Sequence, residues 1–221
     1  MRHDRDIFKK TGAALALGVT GGVASGKSTV CAMLEEMGAP LVDMDVAARR
    51  VVEPGTEAFE SIVALFGKGV LTPGGVLDRK KIGAIVFADP EKRKKLESLT
   101  HPAILRESAV WAGRLARKHP GAVIQMAVPL LIESGMMDMF DNILLVHIPP
   151  RMQARRLAER DQITLEEAGR VLKSQLPINE KIAHADFVID NRGTVEETRK
   201  QVEGFWKTLK KNILKERSET L

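Results

Sequence analysis

Gly21-Gly22-Val23-Ala24-Ser25-Gly26-Lys27-Ser28 has the spacing G-x-x-x-x-G-K-[ST] of a loop that cradles phosphates. Glycines at 21 and 26 let the backbone turn tightly and bring its N–H groups against an anion. Lys27 adds a positive charge near the β- and γ-phosphates, and the Ser28 hydroxyl can ligate Mg²⁺. The flanks agree. Leu15-Ala16-Leu17-Gly18-Val19-Thr20 reads as a buried strand, and Ser28 to Met37 carries Val30, Met33, Leu34 and Met37 at helical spacing. A helix starting there points the positive end of its dipole at the bound anion. The pattern assigns Gly22, Val23, Ala24, Ser25, Gly26, Lys27, Ser28 and Thr29 to an ATP phosphate site, with Ser28 as the metal ligand.

Outward from the loop, strands and helices alternate. Gly38 ends the first helix, Pro40-Leu41-Val42-Asp43 is a short strand, a helix follows through Val51, and Pro54-Gly55 breaks it. Residues 56–118 read as mostly helical, with a turn at Gly74-Gly75 and a helix start at Asp89-Pro90. The runs from Ala122 to Val128 and from Ile143 to Ile148 are apolar on both faces, as central parallel strands are. Pro149-Pro150 ends the second run. Two helices then occupy 151–176, Phe187-Val188-Ile189 is a last strand, and Thr194 to about Arg217 is a closing amphipathic helix. Five strands separated by helices predict a three-layer α/β fold with right-handed crossovers. The nucleotide-binding core takes 14–55, 119–150 and 185–221, with a helical insertion at 56–118 and a second, smaller one at 151–184.

Composition narrows the partners. The 221 residues carry a net charge of +5, with 34 basic and 29 acidic side chains. That mild excess suits an anionic ligand and is weak support for nucleic acid. One cysteine, Cys31, excludes an internal disulfide framework and fits a reducing, cytoplasmic compartment; on the loop helix it reads as a small buried apolar residue. No apolar stretch is long enough to span a membrane. Lys9-Lys10 before Ala13 to Val19 resembles the start of a signal peptide, but that short run is also the strand feeding the loop. Residues 1–13 therefore read as a polar extension with no assigned role. The apolar faces are accounted for by one core, which leaves the oligomeric state open.

The remaining chemistry is carried by a few clusters. Asp43 and Asp45 end the second strand, at the sheet edge that faces a ligand crevice. Residues two apart in an extended segment point the same way, so both could reach one site, one accepting the proton of an attacking hydroxyl. Asp45 could instead cap a helix beginning at Val46. Arg49 could pair with Asp45 or reach a substrate phosphate. Arg151, Arg155, Arg156 and Arg160 crowd one helix, where a closing segment could bring guanidiniums onto a transferring phosphoryl group. No aromatic residues interleave with them, which argues against nucleic acid. His101 is a candidate substrate contact, and Pro129 and Leu130 could wall an apolar part of a substrate or pack the core. These residues alone fit a kinase for several small molecules, or a nucleotide switch, though the carboxylate pair and the size of the insertion favour a kinase.

Six stretches, GVTGGVASGKST (18–29), PLVDMDVAAR (40–49), THP (100–102), VPLLIE (128–133), RMQARRLAERD (151–161) and ADFVIDN (185–191), together resemble the dephospho-coenzyme A kinase family. The resemblance implies a P-loop kinase fold with a five-stranded parallel sheet, a helical substrate-binding insertion and a helical lid. It implies ATP-dependent phosphorylation of the ribose 3′-hydroxyl of dephospho-coenzyme A, with Mg²⁺, small-molecule substrates only and no nucleic-acid or membrane partner. Asp45 matches the acid assigned as base, Lys27 the phosphate site, Arg156 and Arg160 lid arginines, Asn191 the segment near the adenine, and His101 the acceptor segment. Ala24 stands where many members have glycine, and Met44 replaces the commoner alanine.

Overall fold

The structure, a computed structural model, describes residues 7–8 and 15–219, with side chains to 215. Most of the expected polar extension at 1–13 lies outside the described residues. In chain order the elements are β1 (Leu15–Gly21), α1 (Lys27–Glu36), β2 (Leu41–Asp43), α2 (Met44–Arg50), α3 (Glu57–Phe66), α4 (Arg79–Ala88), α5 (Pro90–Lys118), β3 (Val123–Ala127), β4 (Asn142–His147), α6 (Pro150–Asp161), α7 (Leu165–Lys173), a single turn α8 (Ile178–Lys181), β5 (Phe187–Asp190) and α9 (Val195–Glu219). They fall into two compact units, one of residues 43–111 and one of the rest.

The larger unit is built on a five-stranded sheet in the order β2-β3-β1-β4-β5. Val19 of β1 is in parallel register with Ala127 on one side and Leu144 on the other. Helical crossovers make this parallel arrangement possible, because a tight hairpin cannot join parallel strands. Leu15, Leu17 and Val19 project to one face, where they share a core with Val30, Met33 and Leu34 of α1 and Val202, Phe205 and Trp206 of α9. Cys31 is 2% exposed in the same core, as its position on α1 implies. Gln125 interrupts the apolar run of β3, and its amide reaches the carbonyls of Cys31 and Ala39 at 2.9 Å each, tying the end of α1 to the strand.

On the opposite face Gly18 has no room for a side chain. A Cβ there would lie 2.8 Å from Leu131 Cδ1 and 2.9 Å from Phe140 Cγ. Phe140 is covered in turn by Phe8, which is fully buried and stacks on it with ring centroids 5.3 Å apart. At this residue the N-terminal extension departs from its polar reading, because an aromatic ring has much to gain from apolar burial.

The smaller unit, 43–111, is helical around a core of Ile62, Val70 and Ile82. Its helices start where their caps stand. The Thr56 hydroxyl accepts from Phe59 N–H, Asp78 from the N–H groups of Lys80 and Lys81, and Asp89 from those of Glu91 and Lys92. The division places α2 with the helical segment, whereas the sequence groups 14–55 with the sheet. Within that unit Arg50, at the end of α2, pairs with Glu107 at 3.8 Å and lies over the Trp111 ring.

Phe8→Ala should lower stability by about 3 kcal/mol, the usual cost of emptying a buried phenylalanine site. Thermal unfolding of the full-length chain checks this, and an unchanged melting temperature would show that the ring carries no weight.

Candidate active site

β1 delivers the chain into the phosphate loop, and Gly26 opens α1 from the left-handed region at φ 88°. The loop closes on itself through Ser25 N–H to the Gly22 carbonyl at 3.1 Å. The N–H groups of Thr29 and Val30 both return to the Gly26 carbonyl. The N–H groups of Ala24, Gly26, Lys27 and Ser28 have no partner among the described residues. A helix start leaves such donors unsatisfied, and here they converge at one place with the positive helix end behind them. The Ser28 side chain is exposed, while the Ser25 hydroxyl is buried without a partner, so Ser25 serves the loop through its backbone.

Side chains from distant elements hold this loop. Asn191, just past β5, donates to the Ser25 carbonyl at 2.8 Å and accepts from the Thr198 hydroxyl at 2.7 Å. Its amide is thus fully engaged with the loop and α9. Gln153 of α6 donates to the Val23 carbonyl at 3.0 Å, and Gln175 accepts from Val23 N–H at 3.2 Å. Sequence reading passed over Gln153, Gln175 and Thr198. The one available signal was Gln153 standing four residues before Leu157, which puts it on the buried face of an otherwise basic helix.

The arginines of α6 divide. Arg156 donates to the Asn191 carbonyl at 3.1 Å and approaches Gly26. Arg160 forms a two-point pair with Asp161 at 2.7 and 3.0 Å. That hydrogen bonding raises the pKa of Arg160 and lowers that of Asp161. Arg155 is held by Glu159. Of the two lid candidates, then, Arg156 is the one gathered with the loop. The turn after β3 also lies in this unit. Thr20 Oγ1 donates to the Pro129 carbonyl at 3.3 Å, and Leu130 is 45% exposed. Glu133 in the same turn meets the fully buried Lys181 of α8 at 2.6 Å, within ion-pair distance though without the angle of a hydrogen bond, and also accepts from Leu176 N–H.

In the smaller unit the carboxylate pair is arranged differently from the expectation. The helix α2 begins at Met44, so Asp43 and Asp45 do not share one extended segment. Asp43 is the cap, its carboxylate accepting from Asp45 N–H at 2.8 Å and Val46 N–H at 3.4 Å. Asp45 does not cap the helix; it stands exposed in the first turn. Capping wins at position 43 because an aspartate there satisfies two orphan helix donors. Arg49 is exposed and makes no ion pair with Asp45 among the described residues; Arg50, which the sequence left aside, is the one engaged. His101 is exposed on α5 beside Pro102.

The family model described as dephospho-CoA kinase matches residues 15–197. The chain belongs to the dephospho-CoA kinase family. It is 48% identical to the dephospho-CoA kinase of Geobacter metallireducens over 193 residues, covering 87% of this chain and 96% of that one. The enzyme of Geobacillus kaustophilus is 47% identical, covering 85% and 93%. Among solved structures, dephospho-CoA kinase from Campylobacter jejuni superposes with a TM-score of 0.67 at 29% identity, covering 90% and 98%. The reaction of a dephospho-CoA kinase is the ATP-dependent phosphorylation of dephospho-CoA in the last step of coenzyme A synthesis.

One position in this kinase's loop is under strain. Ala24 adopts φ 58°, a region that costs a non-glycine residue about 1–2 kcal/mol. Ala24→Gly should therefore raise stability by up to about 1 kcal/mol after the extra flexibility of the unfolded chain is counted. Denaturant unfolding measures it, and a destabilised variant would mean that the methyl makes contacts worth more than the strain.

Proposed function

We propose that the phosphate loop holds the ATP triphosphate while Asp45 readies the ribose 3′-hydroxyl of dephospho-CoA. The observation that carries this reading is the set of four N–H groups, at Ala24, Gly26, Lys27 and Ser28, that lack a partner among the described residues. Those donors bind a phosphate without reorganising, which is what stabilises charge developing on a transferring phosphoryl group. Lys27 adds a mobile positive charge beside them.

Asp45 is the better base of the two aspartates because its carboxylate is not engaged in capping, whereas Asp43 holds the start of α2. Asp43 then acts on the acceptor indirectly, by fixing the turn that carries Asp45. In line with this, Arg49 and His101 would meet the acceptor, and Pro129 and Leu130 would wall its apolar portion. Arg156 is placed to offset γ-phosphate charge. Arg160 would join it by leaving Asp161 when the lid closes, and closure would keep water from the nucleotide.

Mg²⁺ fits the residues present. No cluster of three or more His, Cys, Asp or Glu side chains suited to a metal occurs among the described residues. An exposed serine hydroxyl in the first turn of α1 suits a cation held mainly by phosphates and water. Ser28 would hold it, and the ion would neutralise phosphate charge. The single cysteine suits a reducing compartment, the cytoplasm, and among the described residues no helix is long and apolar enough to cross a membrane.

Asp45→Asn should lower kcat by about 10²–10⁴-fold with little change in KM for ATP, the size of effect expected for a proton-accepting group. Steady-state kinetics with dephospho-CoA decide it, and near-normal turnover would remove Asp45 from the role. Chelation by EDTA should abolish turnover and added Mg²⁺ restore it; activity surviving exhaustive chelation would argue that Ser28 holds no cation.

A further inference from the structure

Two side-chain amides grip alternate carbonyls of the phosphate loop. Gln153 Nε2 donates to Val23 C=O at 3.0 Å, and Asn191 Nδ2 donates to Ser25 C=O at 2.8 Å. Each amide lies where a glycine leaves space. A Cβ on Gly22 would collide with the Gln153 amide nitrogen, and a Cβ on Gly26 with that of Asn191. The two glycines therefore do more than permit a turn; they admit the clamps.

The consequence follows from the peptide bond. A trans peptide is planar, and its C=O and N–H point in opposite directions. Holding Val23 C=O on one side turns the N–H of Ala24 to the other. Holding Ser25 C=O does the same for Gly26 N–H. Both of these N–H groups lack a partner among the described residues. Both clamps are also braced. Gln153 is 3% exposed on the buried face of α6, and the Asn191 carboxamide oxygen accepts from Thr198, itself fully buried on α9.

We propose that Gln153 and Asn191 are a pair of positioning residues for the phosphotransfer reaction. They touch no phosphate themselves; they set the peptide planes that aim Ala24 N–H and Gly26 N–H at the triphosphate. This rests on the reading that the loop holds ATP. It assigns Asn191 a role through its side chain beneath the loop rather than against the base, and assigns Gln153 a role that neither local pattern nor the family resemblance pointed to.

The test uses the full chain. Gln153→Glu and Asn191→Asp keep shape but set a carboxylate oxygen against each carbonyl, and Gln153→Met removes the donor. Each should raise KM for ATP by about tenfold or more, the size of one lost hydrogen bond to a charged group, with KM for dephospho-CoA unchanged. A purely structural role would lower the melting temperature and move both constants together or neither; either result in a folded variant overturns the proposal. Should the variants fail to fold, wild-type protein labelled with ¹⁵N and titrated with inorganic pyrophosphate answers the same question. The amides of Ala24 and Gly26 should shift together with those of Lys27 and Ser28. Shifts at Lys27 and Ser28 alone would refute the clamp while keeping the loop as the phosphate site, and no shift at any of the four would remove both.

Discussion

Four N–H groups near the start of α1, those of Ala24, Gly26, Lys27 and Ser28, are kept without a partner among the described residues, and the surrounding elements of the larger unit hold them that way. Unsatisfied donors tend to collapse onto the nearest carbonyl. Here the carbonyls that could compete are held elsewhere: Val23 by Gln153, Ser25 by Asn191, Gly26 by the N–H groups of Thr29 and Val30. β1 supplies the rigidity. It is the middle strand of the sheet and buried along its whole length, so the loop it launches starts from a fixed point.

The same logic of helix starts separates the two aspartates. A cap residue and a first-turn residue of one helix have different tasks even when they stand two apart in sequence. Asp43 spends its carboxylate on two backbone donors, and Asp45 is left exposed. Had the strand continued through Asp45, both would have faced one way and the pair would have been equivalent.

What could be read from the sequence was what local pattern encodes. The loop spacing, the buried strand before it and the apolar stripe after it gave β1, the loop and α1 within a residue or two. Asp89-Pro90 announced α5, since a cap followed by a residue without an N–H suits only a helix start. The clamps were not legible. Gln153, Gln175 and Thr198 reach the loop or Asn191 across turns and crossovers, and only the helical spacing of Gln153 to Leu157 marks any of them; Asn191 was named through the resemblance, toward the adenine rather than beneath the loop. The shared extended segment expected for Asp43 and Asp45 failed for a related reason: the strand ends one peptide before the helix begins, and periodicity is blind at a junction that short. Phe8 escaped because a single ring among charges leaves no periodic trace, and its partner Phe140 stands far along the chain.

The ion pair between Lys181 and Glu133 sets a limit on how this sequence can drift. Lys181 is fully buried, whereas the Glu133 side chain keeps 20% of its surface open to water. Losing Glu133 strands the buried ammonium, a penalty of about 3–5 kcal/mol, whereas losing Lys181 leaves a carboxylate that water still reaches. Descendants of this chain can therefore abandon Lys181 before Glu133 but hardly the reverse, so the segment around α8 dictates what the turn after β3 must keep.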